Sequence, residues 1–243
     1  MVLRTLPREG NVAVAEHALR RLAAVTLAGG VLGLLVGGVG GRLAMMLLAR
    51  LNPEMTGRSS DDNFTIGQLT LQTFNLLAVT TLIGVFGGGV YYLLRALMVG
   101  PRWFQISSVS GGAAVVVASS LVHVRGVDFT LEPVVLAIAL FVAIPLVYAA
   151  LLIPLAERWL APDSRFMTAS LWLALAPLLL WVPLFPFFVA LLLLLVAFES
   201  VRRTAAGHKV FSHPATAWAV RVALAVLFTV SLASLVRSTV TLV

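Results

Sequence analysis

The feature that most constrains this chain is a succession of apolar runs, each about as long as a bilayer is thick. Roughly 20 residues of α-helix cross the ~30 Å hydrocarbon layer, and runs of that length fall at about 22 to 49, 72 to 94, 104 to 123, 133 to 156 and 215 to 236. With 60% of residues hydrophobic and 11% charged, against about 25% charged in an ordinary soluble domain, there is too little polar surface for a water-soluble fold. The predicted fold is therefore all-α, a polytopic transmembrane helix bundle. The polar stretches at 1 to 21, about 52 to 71 and 202 to 213 are too short to bury a core of their own. Residues 22–243 read as a single bundle and residues 1–21 as a cytoplasmic N-terminal segment. That segment carries Glu9 and Glu16 beside its arginines and leads into a run longer than a signal-peptide core, so an uncleaved first span is expected.

One stretch does not fit a single crossing. Residues 168 to 201 are continuously apolar, and as one straight helix would run about 51 Å at 1.5 Å per residue. Pro183 and Pro186 in "WVPLFP" offer a break, because proline removes a backbone donor and disfavours helix at the residue before it. A tight turn there predicts two short spans, about 168 to 182 and 186 to 201. Charge placement agrees. With the N-terminus inside, this hairpin returns Arg202, Arg203 and Lys209 to the inner side with Arg4, Arg8, Arg20, Arg21, Arg95, Arg102, Arg158 and Arg165, as the positive-inside rule prefers. The expectation is about seven spans, N-terminus in and C-terminus out. The alternative is six, with one long kinked helix.

The first span carries Gly29, Gly33, Gly37 and Gly41, three G-x-x-x-G units in tandem. Small residues at this spacing let two helix backbones approach closely, the main source of attraction where lipid is as apolar as leucine. A packing seam is expected, filled by "GVFGGGVYY" (84 to 92) and "SSVSGGAAVVVASS" (107 to 120) of the same chain as the preferred neighbours, with a partner chain as the alternative.

Directly behind this stripe stands Arg42. It lies 21 residues beyond Arg21, about 31 Å along a straight α-helix, which places it at the outer boundary. There it can snorkel to headgroups together with Arg50. It can also turn inward to meet the acids of two outer segments, Asp61 and Asp62 in "SSDDNFTIG" and Asp128 and Glu132 in "HVRGVDFTLEP". Arg42, Asp61, Asp62, Asp128 and Glu132 thus form a candidate outer polar cap or ligand site, held by charge-assisted hydrogen bonds. Glu132-Pro133 also reads as a helix start. Trp103, Trp159, Trp172 and Trp181 fall near span ends, where indoles anchor at the interface.

Several chemistries lack their residues. There is no cysteine, hence no thiolate site or disulfide. His17, His123, His208 and His213 lie at span ends or in loops, and no metal ligand set or cofactor site is expected. Nucleotide-binding loops, nucleophile elbows and H-E-x-x-H are missing, and the span centres hold almost no ionisable group, so neither an enzyme nor an ion-coupled transporter is expected. The formal net charge of +7 sits in short clusters at span ends, which suits anionic headgroups rather than nucleic acid.

The segments "GGRLAMM", "DDNFTIG" and "GVDFTLEP" resemble those of a set of actinobacterial polytopic integral membrane proteins without an assigned activity, over roughly residues 30 to 160. The resemblance implies a bacterial plasma-membrane location, marks Arg42, Asp61, Asp62 and Asp128, and carries no function with it. The expected function is a non-enzymatic accessory or scaffolding subunit whose partners are membrane lipids and other membrane protein subunits. The alternative is a small permease or lipid-binding protein with an outer-face polar site.

Overall fold

The structure is a computed structural model that describes residues 8–60, 65–95, 98, 100–122, 129, 131–187, 189, 190, 193 and 214–242. The described residues are all-α apart from one isolated β-bridge between Ser59 and Thr65. Helix α1 (Arg8–Leu32) runs without a break through a π-helical segment (Gly33–Gly40) into α2 (Gly41–Leu51). A connector leads to α3 (Leu71–Leu94), followed by α4 (Arg102–Leu121) and α5 (Val134–Leu160). Two short helices, α6 (Arg165–Thr168) and α7 (Leu171–Leu175), pass into a 3-10 segment (Ala176–Leu184), and α8 (Pro214–Leu242) closes the chain. Among the described residues, five helical stretches are long and apolar enough to cross a membrane, namely Glu16–Leu51, Leu71–Leu94, Arg102–Leu121, Val134–Leu160 and Trp218–Leu242. The protein is a multi-pass membrane protein.

Local chemistry sets the boundaries. The Thr70 N–H donates to Thr73 Oγ1 at 3.2 Å at the start of α3. The Ser164 hydroxyl accepts from the Met167 N–H and caps α6. Gly100, at φ +86°, reverses the chain just before Pro101 leads into α4, a left-handed conformation that glycine adopts without steric cost.

The helices are arranged around α1. Within its apolar window 61% of the residues are buried inside the bundle, against 6% for α8, so α1 is central and α8 peripheral. The α1 helix packs on α3, α5 and the 3-10 segment, α4 packs on α5, and α8 packs on α4. Two clusters mark the ends of the bundle. Leu22, Val25 and Ala28 meet Tyr91, Leu152 and Ala156 at the basal end, where α1 begins. Leu48 meets Ala118, Val122, Ala137 and Leu235 at the distal end. Leu235 is near the C-terminal end of α8, as Leu48 is of α2 and Ala118 of α4, so these three helices finish at the same distal end.

The expected turn at "WVPLFP" is absent. The backbone stays helical through Pro183, with Phe185 also in helical conformation, and Leu171–Phe187 forms one apolar helix. Proline's fixed φ suits a helix, and membrane bundles tolerate its missing donor where neighbours cover the freed backbone. Of the second expected limb, 186 to 201, Pro186, Phe187, Val189, Ala190 and Leu193 are described and helical, and the rest lies outside the described residues. Trp181 departs from the interfacial role as well. It is 1% exposed, and its indole Nε1 donates to the Thr26 hydroxyl on α1 at 2.9 Å. Trp103 and Trp172 are exposed to the surroundings.

Candidate functional site at the distal end

Arg42 is carried on the first turn of α2 and is 5% exposed. Its guanidinium Nη2 donates to the Thr65 carbonyl at 3.1 Å, and Nη1 lies 3.7 Å from Met45 Sδ, a weak acceptor. The buried Nε–H meets no acceptor among the described residues. Thr65 in turn donates its hydroxyl to Gln72 Oε1 at 2.9 Å, which ties the connector to the first turn of α3. The connector therefore folds back along α2 and covers Arg42. Two backbone bonds across the bridge, Gly57 N–H to Ile66 O and Ile66 N–H to Arg58 O, both 2.9 Å, hold its shape, and Gly57 and Gly67 take positive φ at its turns.

The acids named by the sequence are distributed differently. Asp61, Asp62 and Asp128 lie outside the described residues. The Glu132 side chain is exposed and makes no ion pair with Arg42. It is the Glu132 backbone that is engaged. Asn52, 4% exposed, accepts the Glu132 N–H on Oδ1 at 2.9 Å, and its Nδ2 donates to the Glu132 carbonyl at 2.8 Å and to the Leu48 carbonyl at 2.9 Å. One amide thus joins the end of α2 to the entry of α5. Sequence reasoning passed over Asn52. Asn-Pro at 52 and 53 marks a helix stop, but nothing local points to a partner 80 residues away.

The glycines are placed as follows. A Cβ on Gly33 would lie 2.8 Å from Gly84 Cα, one on Gly29 would run into the Gly84 carbonyl, and one on Gly37 would sit 3.1 Å from Thr80 Cβ. These three face α3 in the same chain. Gly41 does not, since its Cβ would meet Ile144 of α5 at an ordinary 3.9 Å. Just before Gly41 the span is wound as a π-helix over Gly33–Gly40, whose i→i+5 bonds put more residues in each turn than the 3.6 of an α-helix. The "SSVSGGAAVVVASS" segment does not join the seam, for a Cβ at Gly111 or Gly112 would meet nothing within 4 Å.

A second polar group sits at the basal end. Arg95 and Glu157 form a two-point ion pair, with Nη2 to Oε2 at 2.7 Å, and Tyr91 donates its hydroxyl to Glu157 Oε1 at 2.6 Å. Hydrogen bonding to Glu157 holds the Arg95 guanidinium above its ordinary range, so it stays charged. Nearby, Arg20 Nη1 donates to the Ala169 carbonyl at 2.7 Å and its Nη2 lies 3.0 Å from Glu16. Among the described residues no three His, Asp or Glu side chains converge as metal ligands would.

In comparison with known proteins, the chain matches no family model, no curated protein and no solved structure.

Proposed function

We propose that this is a non-enzymatic integral membrane protein of the bacterial plasma membrane that holds an anionic group at its outer end through Arg42. The observation that carries the reading is the state of that side chain. It is buried, its charge faces one neutral carbonyl and one thioether, and its Nε–H points at no acceptor among the described residues. A buried guanidinium costs several kcal/mol unless it is paired and fully hydrogen-bonded. A carboxylate or phosphate in the remaining donor fork supplies both. The chemistry suits a lipid headgroup, an anionic solute and a peptide carboxylate alike.

The proposed topology is seven spans, N-terminus in and C-terminus out, which puts the distal end outside. The placement of α8 favours it. The α5 helix ends in the basal cluster and α8 finishes in the distal one, so the chain between them starts and returns at the basal end. Leu171–Phe187 enters along α1, with Leu180 beside Gly30 and the Phe187 ring 6.2 Å from that of Phe86. It serves as the first limb of a hairpin that returns beyond "WVPLFP", since the backbone is still helical at Pro186, Phe187, Val189, Ala190 and Leu193.

The accessory-subunit reading is second. Since α3 fills the glycine seam, what favours association is the open face of α4 at Gly111 and Gly112.

The experiment is to purify the protein from its native membrane in mild detergent and record the intact complex by native mass spectrometry, alongside Arg42→Gln. One retained anionic lipid or solute, lost in the variant, supports the site at Arg42. Equal occupancy in both forms overturns it, and a stoichiometric protein partner on a ligand-free chain replaces it with the subunit reading.

A further inference from the structure

On the face of α2 turned away from Arg42, a groove of about 330 Å³ opens between the π-helix with α2 and the first half of α5. Its walls are Gly40, Leu43 and Leu47 on one side and Leu140, Ala143 and Val147 on the other. The size is that of a small ligand pocket, yet the lining is wholly aliphatic. No hydrogen bond can orient a polar ligand there. The groove exists because this contact is built from small residues, Gly40, Ala44 and Ala143 among them.

Above the groove the chemistry changes sign. Helical spacing puts Arg50 on the same face as Leu43 and Leu47, seven and three residues further on, hence about 10 Å and 4.5 Å along the axis. Arg50 is exposed and takes no ion pair among the described residues. Beyond it the chain turns polar and exposed at Glu54 and Arg58. An aliphatic slot topped by a guanidinium that has no ion pair among the described residues, at the polar boundary, matches the profile of one lipid molecule.

We infer that the groove between α2 and α5 seats an acyl chain of an anionic phospholipid whose phosphate is held by Arg50. The site is distinct from that of Arg42, which lies on the opposite face of the helix under the connector. The phosphate takes the paired N–H donors of the guanidinium, and the tail gains contacts that passing lipid makes only in part.

The test uses the full chain in micelles supplied with equal amounts of phosphatidylglycerol and phosphatidylcholine, and counts lipids retained per protein by native mass spectrometry. Ala143 is exposed, so Ala143→Phe fills the slot from the side without entering the core. Retention is expected to fall at least threefold. Arg50→Gln is expected to keep a bound lipid but to lose the preference for phosphatidylglycerol. Ile83→Phe places the same aromatic ring at an exposed position on α3 and is expected to change nothing. An unchanged headgroup ratio in Arg50→Gln overturns the proposal even if Ala143→Phe does not fold. An equal loss in Ile83→Phe overturns it too, because the lipid counted is then general boundary lipid. Arg42→Gln leaves this lipid in place, so failure here and failure at Arg42 are read separately.

Discussion

Tyr148 of α5 donates its hydroxyl to the carbonyl of Gly84 on α3 at 2.6 Å, at the very residue against which Gly29 and Gly33 of α1 lie. One glycine therefore serves three helices. Its missing side chain admits the α1 backbone, and its carbonyl, reachable because nothing shields it, receives a hydrogen bond from a third direction.

Substitution at this point tests how much the bundle depends on it. A Cβ on Gly84 would approach Gly33 Cα to 2.6 Å, and the obstacle is backbone that cannot rotate aside. Gly84→Ala is expected to destabilise by about 1–3 kcal/mol, the usual range for overpacking a filled interface, and to lower the thermal midpoint in detergent. Gly111→Ala, where a Cβ meets nothing within 4 Å, is expected to be neutral or to gain up to about 1 kcal/mol from helix propensity.

At the basal end, Arg95 and Glu157 invite a double-mutant cycle. Both side chains are roughly one-third exposed, at 32% and 31%, so solvent screens the pair. A coupling of about 1 kcal/mol is expected, at the upper end for such pairs because the contact is two-pointed. Tyr91→Phe, which removes one of several donors to Glu157, is expected to cost less than Arg95→Gln in the same unfolding assay.

Asn52 offers a sharper outcome. Asn52→Ala strips the Glu132 N–H of its acceptor and the Glu132 carbonyl of its side-chain donor, while the Leu48 carbonyl keeps the backbone N–H of residue 52, and about 1–3 kcal/mol is expected for leaving the Glu132 groups unpaired. Hydrogen exchange should quicken at Glu132 and around the end of α2, while the α1–α3 contact stays protected. Uniform acceleration across the protein would contradict a local clamp.

The Trp181–Thr26 bond can be read optically. Trp181 is buried, whereas Trp172 is 86% exposed. Thr26→Val keeps the shape at position 26 and removes the acceptor, so a stability loss of about 1 kcal/mol is expected together with a change in the fluorescence of Trp181. A spectrum identical to that of the unmodified protein would count against the bond.

The spans were legible because a bilayer imposes length and hydrophobicity on each crossing separately, and five of the runs seen in the sequence reappear as helices of crossing length. Relations between spans were less legible. That Gly84 meets Gly29 is suggested by both runs being glycine-rich, but neither the facing of Gly41 toward Ile144 nor the π-helix before it is announced by any local residue preference. Trp181 was misread because an indole near a run's end looks the same whether lipid or Thr26 receives its N–H. Arg42 stood out as a charge in an apolar run. Its partner, the Thr65 carbonyl, could not stand out, since every residue carries one.

The π-helix has one more effect, on orientation. Half of its eight residues are glycine, two of them, Gly33 and Gly37, are set against α3, and the segment joins that contact to the part of the first span that carries Arg42. The angular setting of α2 is thus fixed from below, like a pointer keyed to its shaft. Rewinding Gly33–Gly40 as ordinary α-helix would rotate α2 about its own axis relative to α1 and swing Arg42 out from beneath Thr65, which makes those glycines the mechanical reference for a charge they never touch.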